Sequence, residues 1–167
     1  ESVDQALDIK VTNFDLAMLG NLADIAAYQP QGEVNGVITV RNVYKGVQLQ
    51  TKLVADHVMF GTDTIGTVNV FGGYDAQKEI VSLDPQSGIY KDGSSLQATG
   101  SISLDSNNNQ LLSGVVRFDN ADVSWIRPLV SDLLSKMSGK MNGTINIGGS
   151  ARQPDVNGSV KLTGAAT

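Results

Sequence analysis

The sequence predicts a mainly β chain with two short amphipathic helices, and three observations carry that expectation. Apolar and polar residues alternate with period two along most of the chain, most cleanly in LQATGSISL at 96–104. Glycine is abundant at 18 and proline scarce at 4, which suits many strands joined by tight turns. Aromatics make up 5% against 41% apolar residues, so a core here is built from Val, Ile and Leu.

The elements follow in order. Val3, Leu7, Ile9 and Val11 alternate with Asp4, Asp8 and Lys10 in a first strand. Leu16, Leu19, Leu22 or Ala23, and Ala26 then recur at helical spacing, with Asp15 as N-cap and Pro30 and Gly32 as terminators. Strands follow over 33–43 (Val34, Gly36, Ile38 and Val40 on one face) and 46–56 (Val47, Leu49, Leu53 and Ala55). Residues 57–71 read as one or two less regular strands, with turns at Gly72-Gly73 and Asp84-Pro85 and a strand between them. KDGSS at 91–95 is a hairpin turn. After it, Leu96, Ala98, Gly100, Ile102 and Leu104 share a face, a turn follows at 106–109, and Leu111–Phe118 is a further strand. A second helix is expected from about Arg127 to Met137, with Trp125, Ile126, Leu129, Leu133 and Met137 on its apolar side. It either caps one end of the β structure or closes an apolar groove. The last strands carry Met141, Ile145 and Ile147, then Val156, Val160 and Leu162.

The last third echoes the first. Asp122 stands against Asp15, an offset of 107, and the same offset sets Ile126 on Leu19, Gly139 on Gly32, Asn142 on Asn35, Gly143 on Gly36, Ile145 on Ile38 and Val160 on Leu53. The chain therefore reads as one β-rich segment, 1–167, containing repeat units at about 11–56 and 118–163. It reads further as a piece of a longer protein, whose cut end leaves an apolar edge that could pair two fragments.

Several classes of function find no support. The net charge is −5 and no Lys/Arg stripe exists to neutralise phosphates, so no nucleic-acid partner is expected. There are no cysteines, hence no disulfide or thiolate metal site. The one histidine, His57, sits in a strand beside Asp56 with no nucleophile motif, so an enzyme is not expected. GTINIGG at 143–149 lacks the Lys-Ser/Thr ending of a phosphate loop, and the Asp105/Asn107–109 turn lacks calcium-loop spacing. No catalytic residue, metal or cofactor is assigned.

The alternation leaves two readings open. The apolar faces can fill one another in a sandwich. Alternatively they line one curved sheet, antiparallel or mixed, folded over an apolar concave groove. The groove candidates are Val34, Ile38, Val40, Leu49, Leu53, Leu96, Ile102, Leu104, Met141, Ile145, Ile147, Val156, Val160 and Leu162.

Two motifs, Gly139-Lys-Met-Asn-Gly143-Thr-Ile-Asn-Ile147 and Pro154-Asp-Val-Asn-Gly158-Ser-Val-Lys-Leu162 with Gly164, follow an apolar helix-like stretch. This unit resembles the TamB family of AsmA-like envelope proteins, and within it a β domain of the C-terminal type. Gly32-Glu-Val-Asn-Gly36-Val-Ile-Thr-Val40 matches the first motif, while no proline matches Pro154 in the earlier copy. The resemblance implies an elongated, folded-over sheet (a β-taco) in the periplasm of a Gram-negative bacterium, within a protein anchored in the inner membrane. It also implies phospholipid or another acyl-chain ligand, a TamA-like outer-membrane barrel as partner, and no catalytic residues.

Overall fold

The computed structural model describes residues 5–21, 26–104, 110–126 and 137–166. Strands β1 (Ala6–Asp15), β2 (Pro30–Arg41), β3 (Gln48–Phe60), β4 (Asp63–Asp75), β5 (Ile80–Leu83), β6 (Gly88–Lys91), β7 (Ser94–Ser103), β8 (Leu112–Asp122), β9 (Met137–Gly149) and β10 (Pro154–Ala166) form one sheet. Every pairing is antiparallel and sequential neighbours pair, except that β5 and β6 share one place between β4 and β7. Among the described residues no second sheet covers the first. The period-two pattern thus marks a single curved layer rather than a sandwich.

Between β5 and β6 the chain loops out over Asp84–Ser87. Ser87 is 1% exposed, and its hydroxyl stands in for the missing rung: it donates to the Phe71 carbonyl at 2.7 Å and accepts from the Phe71 N–H at 3.0 Å. The turn at Asp92-Gly93 has φ 51° and 78°, the two positive values of a type I′ hairpin. Gly72 and Gly73, expected in a turn, lie inside β4 and pair with Leu83 and Ser82. Small residues let strands approach closely there.

The first expected helix is corrected: Leu16–Asn21 and Ala26–Tyr28 are short 3₁₀ segments. Val123–Trp125 is a third 3₁₀ segment, and the helix expected from about Arg127 lies outside the described residues. Leu16 and Leu19 are three apart, a spacing that a 3₁₀ turn satisfies as well as an α-helix. Met137 opens strand β9 instead of closing a helix. Asp15 caps as expected, its Oδ1 accepting from the Ala17 N–H at 2.8 Å, and Asp122 Oδ1 accepts likewise from the Ser124 N–H at 2.9 Å.

A bulge breaks β1 against β2 between Val11 and Phe14, and a bulge breaks β8 against β9 between Phe118 and Ala121. In the first, Asn13 has φ 48° and its N–H donates to Asn35 Oδ1 at 2.8 Å. In the second, Asn120 has φ 49° and its N–H donates to Asn142 Oδ1 at 2.8 Å. Asparagine tolerates this left-handed backbone, and the amide across the bulge satisfies the N–H that the ladder leaves out.

Candidate functional site: an apolar trough

Register determines which side chains share a face. One row runs Val34–Ala55–Val68–Ile89–Leu96–Phe118–Gly143–Val160, from β2 to β10. A second runs Ile9–Ile38–Thr51–Gly72–Leu83–Gly100–Gly114–Ile147–Val156, from β1 to β10. A third joins Val40, Leu49, Tyr74, Val81, Ile102 and Leu112. Met141 with Leu162, and Ile145 with Val116, fall on this same face. The opposite face carries pairs such as Asn146–Asn157, Thr144–Ser159 and Gln50–Gly73.

Thus the groove candidates within strands lie on one side of one sheet, and Leu104 follows the end of β7 in the same alternation. Val11, Phe14, Val68, Val70, Val116 and Phe118 belong there too. The sequence carried them in plain alternation, but irregular ladders around 57–71 and apolar residues on both faces of 111–118 hid the face.

The two ends of this trough differ. At one end Val34, Ala55, Val58, Ile65, Phe118, Ala121, Val123, Trp125 and Met141 form a single buried cluster. The Leu16–Asn21 turn packs on β2 and the Val123–Trp125 turn on β9, closing that end. Trp125 is 6% exposed and Ile126 packs against the cluster; Leu129 and Leu133 lie outside the described residues. Tyr28 and Phe60 add a tilted ring pair, 6.1 Å between centroids. At the other end, no residue of the Val40–Leu112 row is buried. Leu7, Ile9, Val81, Leu104, Leu111 and Val156 are exposed there, Leu7 and Val156 most of all. These exposed apolar side chains stand on the trough face, where unburied hydrophobic surface can receive a ligand.

Inside the first half the trough deepens into a hollow of about 480 Å³. Its walls are apolar throughout: Val11, Phe14, Leu16, Leu19, Pro30, Val34, Ile38, Leu53, Ala55, Val58, Phe60, Val68 and Val70. No charge is placed to hold a polar group in it. The site can therefore shelter hydrocarbon.

His57 sits elsewhere, exposed at the bulge between Ala55 and Val58, with φ 52°. It lines a separate polar hollow with Asp56, Tyr90 and Lys91, where Asp56 Oδ1 accepts from Thr67 Oγ1 at 3.0 Å. Among the described residues no group of three or more His, Asp or Glu is placed to hold a metal ion. Asp122 carries a lowered pKa. Partial burial favours its protonated form, but the hydrogen bonds from Ser124 and the Lys140 ammonium, 3.5 Å away, outweigh it. That carboxylate serves the turn at the closed end.

No helix among the described residues is long and apolar enough to cross a membrane. Comparison with known proteins found no match among curated proteins and none among solved structures. The family model described as "TamB, N-terminal domain" matches residues 3–162.

Proposed function

This chain belongs to the TamB family, and from that premise we propose that it is a non-enzymatic segment of a periplasmic conduit that passes phospholipids between the inner and outer membranes of a Gram-negative cell. The matched region is the family's N-terminal domain, whereas the motifs pointed to a C-terminal-type β domain; the family is the same. The observation that supports the reading is the mainly apolar face, whose rows run in register across the sheet and whose side chains are exposed at one end. Acyl chains laid on it gain about 0.8 kcal/mol per buried CH₂. Headgroups stay over the polar rim. The residues hold and guide the ligand, and the driving force comes from outside this segment.

In this reading, 11–56 and 118–163 are two copies of one trough-building unit. The shared bulge, the shared asparagine bond and the shared Asp cap support that, because each recurs at the same offset of 107.

A photo-crosslinker at Ile145 or Ile102 in the full-length protein in cells tests the conduit. Lipid should be captured at both, and not from Asn146 or Ser103 on the opposite face. Equal capture from the two faces, or none, rejects it.

One feature favours a second role. The outer edges of β1 and β10 have no strand partner among the described residues. Such edges can template strands of an outer-membrane protein beside a TamA-like barrel, or pair two fragments. Proline at Ser159 or Lys161 would abolish client binding while leaving lipid capture intact.

A further inference from the structure

Arg41 ends β2 and Gln48 begins β3, and the hairpin between them stands beyond the Val40–Leu49 pair, at the open end of the trough. Its tip is Asn42-Val43-Tyr44-Lys45-Gly46. Val43 is 55% exposed and Tyr44 97% exposed. The tip is nonetheless well braced. The Lys45 N–H donates to the Asn42 carbonyl at 3.0 Å, Gln77 Nε2 donates to the Lys45 carbonyl at 2.6 Å, and Asn42 Nδ2 donates to Gln48 Oε1 at 3.3 Å. A rigid turn thus presents an aliphatic and an aromatic side chain to solvent.

Folding does not require those residues. The β9–β10 turn occupies the corresponding position 107 residues on, and carries Ser150 and Ala151 where this one carries Val43 and Tyr44. It closes with a similar bond, Gln153 N–H to the Ser150 carbonyl at 3.1 Å. The charge is also particular. Arg41 and Lys45 flank the apolar pair and are exposed, and no acidic residue lies between Arg41 and Gln48. Asp75, at the end of β4, is already engaged by Lys78, by Gln48 and by the N–H groups of Gln77 and Lys78. In a chain of net charge −5, the hairpin itself carries two cations and no acid.

We propose that this hairpin is a membrane-contact tip. Val43 and Tyr44 seat in the interface of an anionic phospholipid bilayer, and Arg41 and Lys45 meet the headgroup phosphates. Tyrosine suits that boundary because its ring is apolar and its hydroxyl wet. Cations beside it add attraction to an anionic surface. The inference rests on the conduit reading, since it places the lip of the trough against the lipid source.

Flotation of the purified chain with phosphatidylglycerol–phosphatidylcholine vesicles, and with phosphatidylcholine alone, tests it. The chain should float with the anionic vesicles and lose binding as salt rises. Val43→Ser with Tyr44→Ser should weaken binding about tenfold, and Lys45→Glu should abolish the preference for anionic lipid. Ser150 and Ala151 show that such a turn accepts small residues, and an unchanged melting temperature confirms that the variant folds. Capture of a monomeric short-chain phospholipid by a crosslinker at Ile145 should be unaltered in these variants. If that capture fails in the parent chain while vesicle binding persists, the conduit falls and the tip stands. No vesicle binding by the parent chain, binding indifferent to Tyr44, or a photo-crosslinker at position 44 that captures protein and no lipid overturns the tip.

Discussion

Positions 107 residues apart share a backbone but not a filling. Met18 is 65% exposed, and Trp125, its counterpart, is 6% exposed. Phe14 is 36% exposed, and its counterpart Ala121 is 0% exposed. The bulge, the asparagine bridge and the Asp cap are alike in both. What differs is the side chain that the turn after the bulge sends over the sheet. In the second half an indole closes the end of the trough, with the small Ala121 beneath it. In the first half a methionine points to solvent, and the hollow beside it stays open. A conserved frame with exchangeable plugs lets one segment be structural and the other accommodating.

The largest difference should appear between those plugs. Trp125→Ala should cost about 3–5 kcal/mol in urea unfolding, as expected for removing a buried large aromatic. Met18→Ala should stay within about 0.5 kcal/mol. Equal losses would mean that the two halves of the closed end are packed alike. The frame itself should respond symmetrically. A Cβ on Gly36 would collide with the Lys52 carbonyl, and one on Gly143 with the Ser159 carbonyl; both glycines hold φ near 150°. Gly36→Ala and Gly143→Ala should each cost about 1–3 kcal/mol, by strain at a backbone conformation that L residues avoid. Asn35→Ala and Asn142→Ala should each cost about 1 kcal/mol by leaving a bulge N–H without its acceptor, water taking part of the role. Unequal losses here would show that the shared bonds do different work.

The smallest effect concerns pH. Asp122 is held below its ordinary value of 3.8 in the folded chain. Its contribution is therefore present above that value and lost as pH falls through the folded one. The side chain is 40% exposed, so the effect is a few tenths of a kcal/mol at about neutral ionic conditions. Melting temperature against pH should flatten slightly below about pH 4 in Asp122→Asn.

Most of the sheet was legible because alternation records which face meets water. In 96–103, 139–149 and 154–162 the alternation is regular, and those strands run as read. The face of the trough was legible for the same reason. The first helix was not. Apolar residues at three-residue spacing, such as Leu16 and Leu19, fit α and 3₁₀ turns alike, so spacing alone could not choose between them. The region 57–71 was obscured by the bulge at Asp56-His57, which shifts the alternation by one residue. The apolar run after Asp122 did point to an end cap with Trp125 in it, but no local pattern could show that Ser87 is buried, since that comes from residues brought together across the sheet.

Ser87 has a mechanical consequence. The sheet is stitched by long ladders everywhere except between β4 and β7, where two four-residue strands meet a looped-out Asp84–Ser87. There the Asp84 N–H and the Ser87 hydroxyl both donate to the Phe71 carbonyl, at 2.7 Å each, and the Ser87 carbonyl accepts from the Ala98 N–H at 3.0 Å. That seam should act as a crease: a load drawing the first and last strands apart should bend the molecule along it, and the Ser87 hydroxyl is the side-chain group that stiffens it. Pulled between residues 6 and 166 in an optical trap, the Ser87→Ala chain should yield at lower force than the parent, and yielding at equal force would place the compliance elsewhere.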